Sequence, residues 1–289
     1  MGLNLKYGAH LGVIELTAEG VLVIGLGEVG RPLYEILSES FASVYGYDSD
    51  GSKTVHELEA VPKPVEVVHV AYPYTGGRFI ESTVEYISSF NPRLVIIHSS
   101  IPPGTTRLIQ SKVDSIVAFS PVRGRHPNLK EHLRFWTKWV SAVDGAGAEL
   151  ARRHLEEAGF RVRVAPDPES LELAKLWETV YRAVMIASWQ EVHRIARRVG
   201  ADIGVVAEFV SEVHEVLRDR PVYYPDVIGG HCLIPNTEIL LNKFDSDLLR
   251  FVLKSNRARK EEVKDAEVLE EVRRVKEIWM RHVPKDYYR

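Results

Sequence analysis

The 289-residue sequence predicts an α/β fold, a doubly wound parallel sheet followed by an all-α domain. Three observations predict it: short apolar runs recur in the first half, helix-length periodic segments separate them, and at Asp167 the pattern changes to long helices. The first run, Val21 to Ile24, reads as a buried strand, and helical spacing takes over at Arg31 to Leu37. Ser43 to Tyr47 (SVYGY) is a short second strand. Further strands are expected at Val65 to Ala71 (VEVVHVA), Leu94 to His98 (LVIIH) and Ser115 to Phe119 (SIVAF), with Arg78 to Phe90 among the intervening helices. Val140 to Val143 and Arg161 to Val164 flank a helix over Ala146 to Ala158 and complete the sheet. The first domain is therefore expected over 1–166 and the second over 167–289. Within residues 1–19, LGVIEL is a candidate extra edge strand.

Asp167-Pro168 forms an N-cap with proline at the first helical position, and no breaker follows until Gly200. Apolar residues wrap much of this helix around Val180 to Trp189, which implies burial against other helices or a second subunit, hence a homodimer through the helical domain. Asp202 can cap a second helix to about Leu217. A charged helical region fills Asp245 to His282; the charge pattern of Glu261 to Lys276 suggests a solvated helix, and a charged surface face is the favoured alternative.

Composition excludes several classes. With 45% hydrophobic and 27% charged residues the chain can bury a real core. One cysteine cannot form an internal disulfide, and no basic-then-apolar leader is visible, so a cytoplasmic protein is expected. No apolar stretch reaches the roughly 20 residues that span a bilayer. Thirty-seven basic against 40 acidic residues give a net charge of -3, which leaves no sequence-wide footprint for nucleic acid.

Between the first strand and its helix stand Gly25, Gly27 and Gly30, in the pattern G-x-G-x-x-G. The chemistry of a pyrophosphate demands a tight turn at the first glycine, close backbone approach at the second and close helix–strand packing at the third, with the helix N-terminus as the anion site. The second strand ends in Asp48, placed to accept hydrogen bonds from an adenosine ribose and to repel a 2′-phosphate; the alternative is a turn or capping aspartate. NAD is thus the expected cofactor of a Rossmann domain, held by Gly25, Gly27, Glu28, Val29, Gly30, Asp48, Tyr72, Pro73 and Ser100.

Four further stretches can carry chemistry. IGGHCLIPN holds the single cysteine, Cys232, after two glycines that let a backbone and a thiol approach a ligand. Cys232 is a nucleophile, a small buried hydrophobe, or a metal ligand with His231, although no C-x-x-C or H-x-x-x-H partner exists and no metal is expected. Lys175 sits in an apolar turn with Thr179 on the same helix face, and either stabilises an alkoxide or snorkels at the surface. SSIPPGTTR, from Ser99 to Arg107, and SPVRGRHPN, from Ser120 to Asn128, both follow strands. Arg123, Arg125 and His126 in the latter could meet an anionic substrate, and either stretch could be only a polar loop.

Taken together, GLGEVGRPL, VYGYD, SSIPPGTTR, LAKLWETVYRAVMIA and IGGHCLIPN resemble, in order from about Val21 to Leu240, the motifs of the UDP-glucose and GDP-mannose dehydrogenase family. The resemblance implies a 6-phosphogluconate-dehydrogenase-like helical domain and NAD-dependent oxidation of a nucleotide-sugar alcohol to a carboxylate. Cys232 would capture the aldehyde, Lys175 would stabilise the oxyanions, and Gly230 and His231 would line the substrate. The family's asparagine after the lysine is Thr179 here, its aspartate after the cysteine is Asn236, and its threonine in the proline loop is Ser100. Val122 stands at an acidic position of the family pattern, and a family glutamate falls near His126. Asparagine cannot act as a carboxylate base. Only a short, largely helical stretch follows Leu240, so the family's nucleotide-binding C-terminal domain is expected to be missing. Three readings follow: an NAD-dependent oxidoreductase of a sugar or small alcohol using Cys232 and Lys175, a β-hydroxyacid-dehydrogenase type without covalent catalysis, or a retired NAD-binding protein.

Overall fold

The computed structural model describes residues 20–283, and the LGVIEL stretch lies outside them. Two compact units divide between Leu173 and Ala174. In the first, seven strands alternate with helices: β1 (Val21–Ile24), α1 (Gly30–Ser40), β2 (Val44–Tyr47), β3 (Val67–Val70), α2 (Gly77–Phe90), β4 (Leu94–Ile97), α3 (Thr105–Gln110), β5 (Ile116–Phe119), α4 (Leu129–Phe135), β6 (Lys138–Ala142), α5 (Gly145–Glu157) and β7 (Val162–Val164). The strands lie in the order β2-β1-β3-β4-β5-β6-β7. Because β1 sits between β2 and β3, the chain reverses direction across the sheet there, which opens a crevice at the carboxyl ends of β1 and β3. The expected all-parallel sheet needs one correction: β6 runs antiparallel to β5, because the short helix α4 does not carry the chain back across the sheet before it pairs.

Alternation with a period of two divides the strand residues between two cores. Val21, Val23, Leu94, Ile96 and Val140 face the layer of α1, α4 and α5, whereas Leu22, Ile24, Val68, Val95 and Phe119 face α2 and α3. On the first of these faces, polar side chains replace apolar ones along a line. His69 on β3, His98 just past β4, Lys138 on β6 and His154 on α5 are all buried. His69 Nδ1 lies 2.9 Å from His98 Nε2, and His69 Nε2 lies 2.9 Å from His154 Nε2. His98 Nδ1 is 2.7 Å from the Ser120 carbonyl, which can only accept, and this fixes every tautomer. His98 Nδ1 carries a proton, so His98 Nε2 accepts from His69 Nδ1–H, and His69 Nε2 accepts from His154 Nε2–H. The Lys138 ammonium, 3.2 Å from a nitrogen that already carries its own proton, donates instead to the Ser120 and Pro121 carbonyls. The His154 ring also stacks on Phe41 at 4.8 Å.

The second unit is helical. The long helix α6 (Pro168–Val199) runs into it and is followed by α7 (Ile203–Leu217), α8 (Leu233–Lys243), α9 (Asp247–Glu262) and α10 (Ala266–Met280). The division of units falls inside α6, past the boundary at 166 expected from sequence, because Leu171 and Glu172 on its first turns belong to the sheet unit's packing and hydrogen bonding. Asp202 caps α7 by accepting from Gly204 N–H at 2.7 Å. Glu261 to Lys276 comprises the end of α9, a turn capped by Asp265, and most of α10, so a charged surface face and not one solvated helix is found there. Val268, Val272 and Val275 are buried, so its charges cover only the outer face. No helix among the described residues is long and apolar enough to cross a membrane.

Burial holds the imidazoles of His69 and His98 well below their usual pKa and pushes that of His154 down to about 4. The unfolded chain takes up protons near pH 6.5 and the folded chain does not, so stability is complete above pH 6.5 and is lost as pH falls toward 4. Each fully neutral ring contributes a slope of about 1.4 kcal/mol per pH unit in that window, about 4 for all three. Urea unfolding of the wild type between pH 7 and 4.5 should therefore steepen below neutrality. His154→Gln, which keeps an N–H for His69 and removes one titrating ring, should reduce the slope by about a third; a flat profile from pH 7 to 5 would contradict the assignment.

Candidate functional site

The turn at the carboxyl end of β1 is built on two close approaches. A Cβ on Gly30 would stand 1.6 Å from the Gly25 carbonyl oxygen, and one on Gly25 would stand 2.6 Å from the Tyr72 backbone nitrogen. Both positions therefore exclude a side chain, and Gly25 also has a φ of +90°. A Cβ on Gly27 would meet nothing within 4 Å. That contrast separates the packing glycines from one whose bareness leaves room for a ligand. No side chain caps the N-terminus of α1, where Val29 is the N-cap and Glu28 precedes it. The open position at Gly27 and the uncapped helix start fit a pyrophosphate.

Asp48, at the end of β2, ties to this turn: one carboxylate oxygen accepts from Leu26 N–H at 2.6 Å and the other from Asp50 N–H at 2.8 Å. It is thus a turn aspartate and a neighbour of the glycine turn at once. Tyr72 supplies backbone to the same place, but its ring packs into the core against Phe79 and its hydroxyl is 2.6 Å from that of Thr83; burial raises its pKa well above the ordinary phenol range. The Tyr72 carbonyl accepts from Ser99 Oγ, which joins the ends of β3 and β4 beside Pro73. Ser100 is half-buried, and among the described residues its hydroxyl makes no hydrogen bond.

The rest of the SSIPPGTTR stretch is structural. Glu172, fully buried, accepts from Thr106 N–H at 2.8 Å, from Thr106 Oγ1 at 2.6 Å and from Gly104 N–H at 2.6 Å. These bonds satisfy the start of α3. Burial raises the pKa of this carboxyl, while the three hydrogen bonds oppose the shift. Sequence reasoning missed Glu172; its signal was a glutamate inside the apolar run LELAKL. In the SPVRGRHPN stretch, Arg123 donates to the Thr137 carbonyl and its guanidinium lies 4.9 Å from the Trp136 ring, so it holds the stretch together. Arg125 and His126 are exposed, with a cis bond between His126 and Pro127, and Arg125 N–H donates to His132 Nδ1.

In the helical unit, Lys175 has a side chain only 11% exposed, and its ammonium comes no nearer than 3.9 Å to Glu178. Cys232 is exposed, which removes the buried-hydrophobe reading, and it stands at the N-cap of α8, not in mid-loop. Gly230, with a φ of +82°, and the exposed His231 precede it. The two departures from the family pattern touch each other: Asn236 Nδ2 donates to Thr179 Oγ1 at 2.8 Å, and that hydroxyl donates to the Leu176 carbonyl at 2.9 Å. Lys175 lies one turn before Thr179 on α6, and Cys232 one turn before Asn236 at the start of α8. Both candidates therefore lie within one helical turn of the same interhelical bond. A base at this pair is absent, because both members are neutral.

Residues 169–274 match the model described as UDP-glucose/GDP-mannose dehydrogenase family, central domain. Among solved structures, the chain is similar to a UDP-D-ManNAc dehydrogenase from Pyrococcus horikoshii, with 22% identity and a TM-score of 0.69 over 82% of this chain and 68% of that one. It is similar to a UDP-N-acetyl-mannosamine dehydrogenase from Staphylococcus aureus, with 20% identity and a TM-score of 0.68 over 84% and 69% of the two chains. A 3-hydroxyisobutyrate dehydrogenase from Mycobacterium tuberculosis, at 15% identity and a TM-score of 0.60, is matched over 90% of this chain and 99% of its own. No protein of curated function matches the sequence. At these identities the structural likenesses establish the fold, and the match over residues 169–274 places a likeness to the central domain of the UDP-glucose/GDP-mannose dehydrogenase family in the helical half of the chain.

Proposed function

We propose that the protein is an NAD-dependent oxidoreductase that acts on the alcohol group of a nucleotide sugar or a smaller, anionic substrate. The observation that carries the reading is the glycine turn, where Gly25 and Gly30 exclude a Cβ and Gly27 leaves open space at an uncapped helix start. Gly27, Glu28 and Val29 would hold the pyrophosphate, Asp48 the ribose, and the backbone at Tyr72 and Pro73, with the Ser100 hydroxyl, the remainder. Bound there, NAD supplies a two-electron acceptor. The carboxylate at Asp48 disfavours a 2′-phosphate and so favours NAD over NADP.

Lys175, mostly buried and only loosely paired with Glu178 at 3.9 Å, is suited to stabilise negative charge on a substrate oxygen. Cys232 is the candidate nucleophile: its sulfur adds to an aldehyde carbon while the carbonyl oxygen takes up a proton. Arg125, His126, Gly230 and His231 are the candidate substrate contacts, and Arg123 supports them indirectly. A second reading, a single alcohol oxidation without covalent catalysis, is favoured by one observation. The Thr179–Asn236 pair has no carboxylate to activate water for release of a thioester.

The stripe of Val205, Phe209 and Val216 on α7 is 67–80% exposed and follows helical spacing. An apolar face of this kind suits a second copy of the chain, and this supports the reading of a homodimer through the helical unit.

Incubation with NAD and panels of nucleotide sugars and 3-hydroxy acids should raise the absorbance of the reduced nicotinamide with at least one substrate. Lys175→Ala should lower kcat by about 100-fold or more. Cys232→Ser should abolish acid formation under the covalent reading and leave carbonyl formation intact under the second. Absence of turnover across both panels, with NAD still bound, would identify a binding protein instead. Light scattering should give twice the mass of one chain, and Phe209→Glu should give monomers; a monomeric wild type would contradict the dimer.

A further inference from the structure

The thiol of Cys232 ends a stretch, residues 218–232, that holds neither helix nor strand and joins α7 to α8. Its tip, from Gly229 to Cys232, is exposed, whereas Ile228 immediately before it is buried. Backbone polar groups at a buried point of an irregular segment need partners, and here one side chain meets both. Ile228 N–H donates to Asn256 Oδ1 at 2.7 Å, and Asn256 Nδ2 donates back to the Ile228 carbonyl at 3.2 Å. Two residues earlier, the Asp226 carbonyl accepts from Gln190 Nε2 at 2.7 Å. Gln190 Oε1 in turn accepts from the hydroxyl of Ser255, the neighbour of Asn256, at 2.6 Å. Asn256 and Gln190 are buried, and Arg259, one turn along α9, donates to the Gln190 carbonyl at 2.9 Å. Thus α6 holds Asp226 and α9 holds Ile228, two residues apart in the same loop.

The grip is selective. Packing of α9 against its neighbours already rests on Leu249 and Val252, so the amides are not needed to hold that helix. Their bonds go to the backbone of the loop, and the next fixed point is the Cys232 carbonyl, which accepts from Asn236 N–H at 2.9 Å in the first turn of α8. Only three residues, two of them glycines, lie between Ile228 and Cys232. We propose that Asn256, supported by Gln190, is the positioning residue of the thiol: its two-point hold on Ile228 sets where Cys232 stands. Only an amide of this length offers both a donor and an acceptor; aspartate keeps the bond from Ile228 N–H and loses the one to the carbonyl. The functional weight of the inference rests on the reading of Cys232 as a reacting group.

Because the chain has one cysteine, alkylation by iodoacetamide reports on this thiol alone. The rate is measured against pH in wild type, Asn256→Ala and Asn256→Asp, well below the unfolding temperature, beside melting curves and turnover. Displacement of the thiol should change the native-state alkylation rate by about tenfold in Asn256→Ala and by less in Asn256→Asp, with kcat falling more than KM rises. Should Asn256→Ala fail to fold, Asn256→Asp gives the same readout. Variants that melt earlier but superimpose on the wild-type alkylation profile would overturn the proposal and leave Asn256 a structural residue. Full turnover in Cys232→Ser would instead overturn the thiol's role in the reaction while the alkylation result stands.

Discussion

Two backbone segments of the sheet unit pass closer than any side chain allows, and the glycine turn at the carboxyl end of β1 depends on that approach. Gly30 brings the start of α1 against the Gly25 carbonyl, and Gly25 brings the turn against the backbone of Tyr72 at the end of β3. From this contact the crevice is built outward. Asp48 fastens the end of β2 to the turn through Leu26 N–H, Ser99 fastens the end of β4 to Tyr72, and Glu172 fastens α3 to the first turns of α6. Gly27 lies between Gly25 and Gly30 on the chain, and its lack of a Cβ is explained by no packing neighbour.

Both units also bury polar chains where apolar side chains would serve as filling. The histidine chain spans β3, β4 and α5, and the network of Gln190, Ser255 and Arg259 spans α6 and α9. A buried polar group destabilises unless each donor and acceptor is met, so such networks admit one arrangement of their elements and disfavour the rest. In the sheet unit the arrangement roots the ends of β4 and β5, through His98 and Ser120, directly before the two loops that follow those strands. In the helical unit it roots the segment that leads to Cys232.

What the sequence displayed was local. The strands, the glycine turn, the proline start of α6 and the Asp202 cap are written in neighbouring residues, and each stands within a few positions of where it was expected. The helices α3, α4 and α8 were not legible, since they are short and begin within stretches rich in glycine, proline and polar residues. The reversed direction of β6 depends on pairing that no local pattern encodes. The site was half legible. Cys232, Lys175, Thr179 and Asn236 stood out singly, but the bond between Thr179 and Asn236 joins residues 57 apart in sequence. His69 and His98 carried a readable signal, a polar residue at an inward position of an apolar strand, but the partner 85 residues from His69 did not.

The proposed nucleotide site turns on whether Gly27 is bare for a ligand or for packing. Calorimetric titration of NAD into the wild type and into Gly27→Ala tests it most directly. Saturable binding by the wild type and its loss in Gly27→Ala are expected, with the melting temperature unchanged because the added methyl meets no protein atom. Equal binding by the two proteins, or none by the wild type, would contradict it.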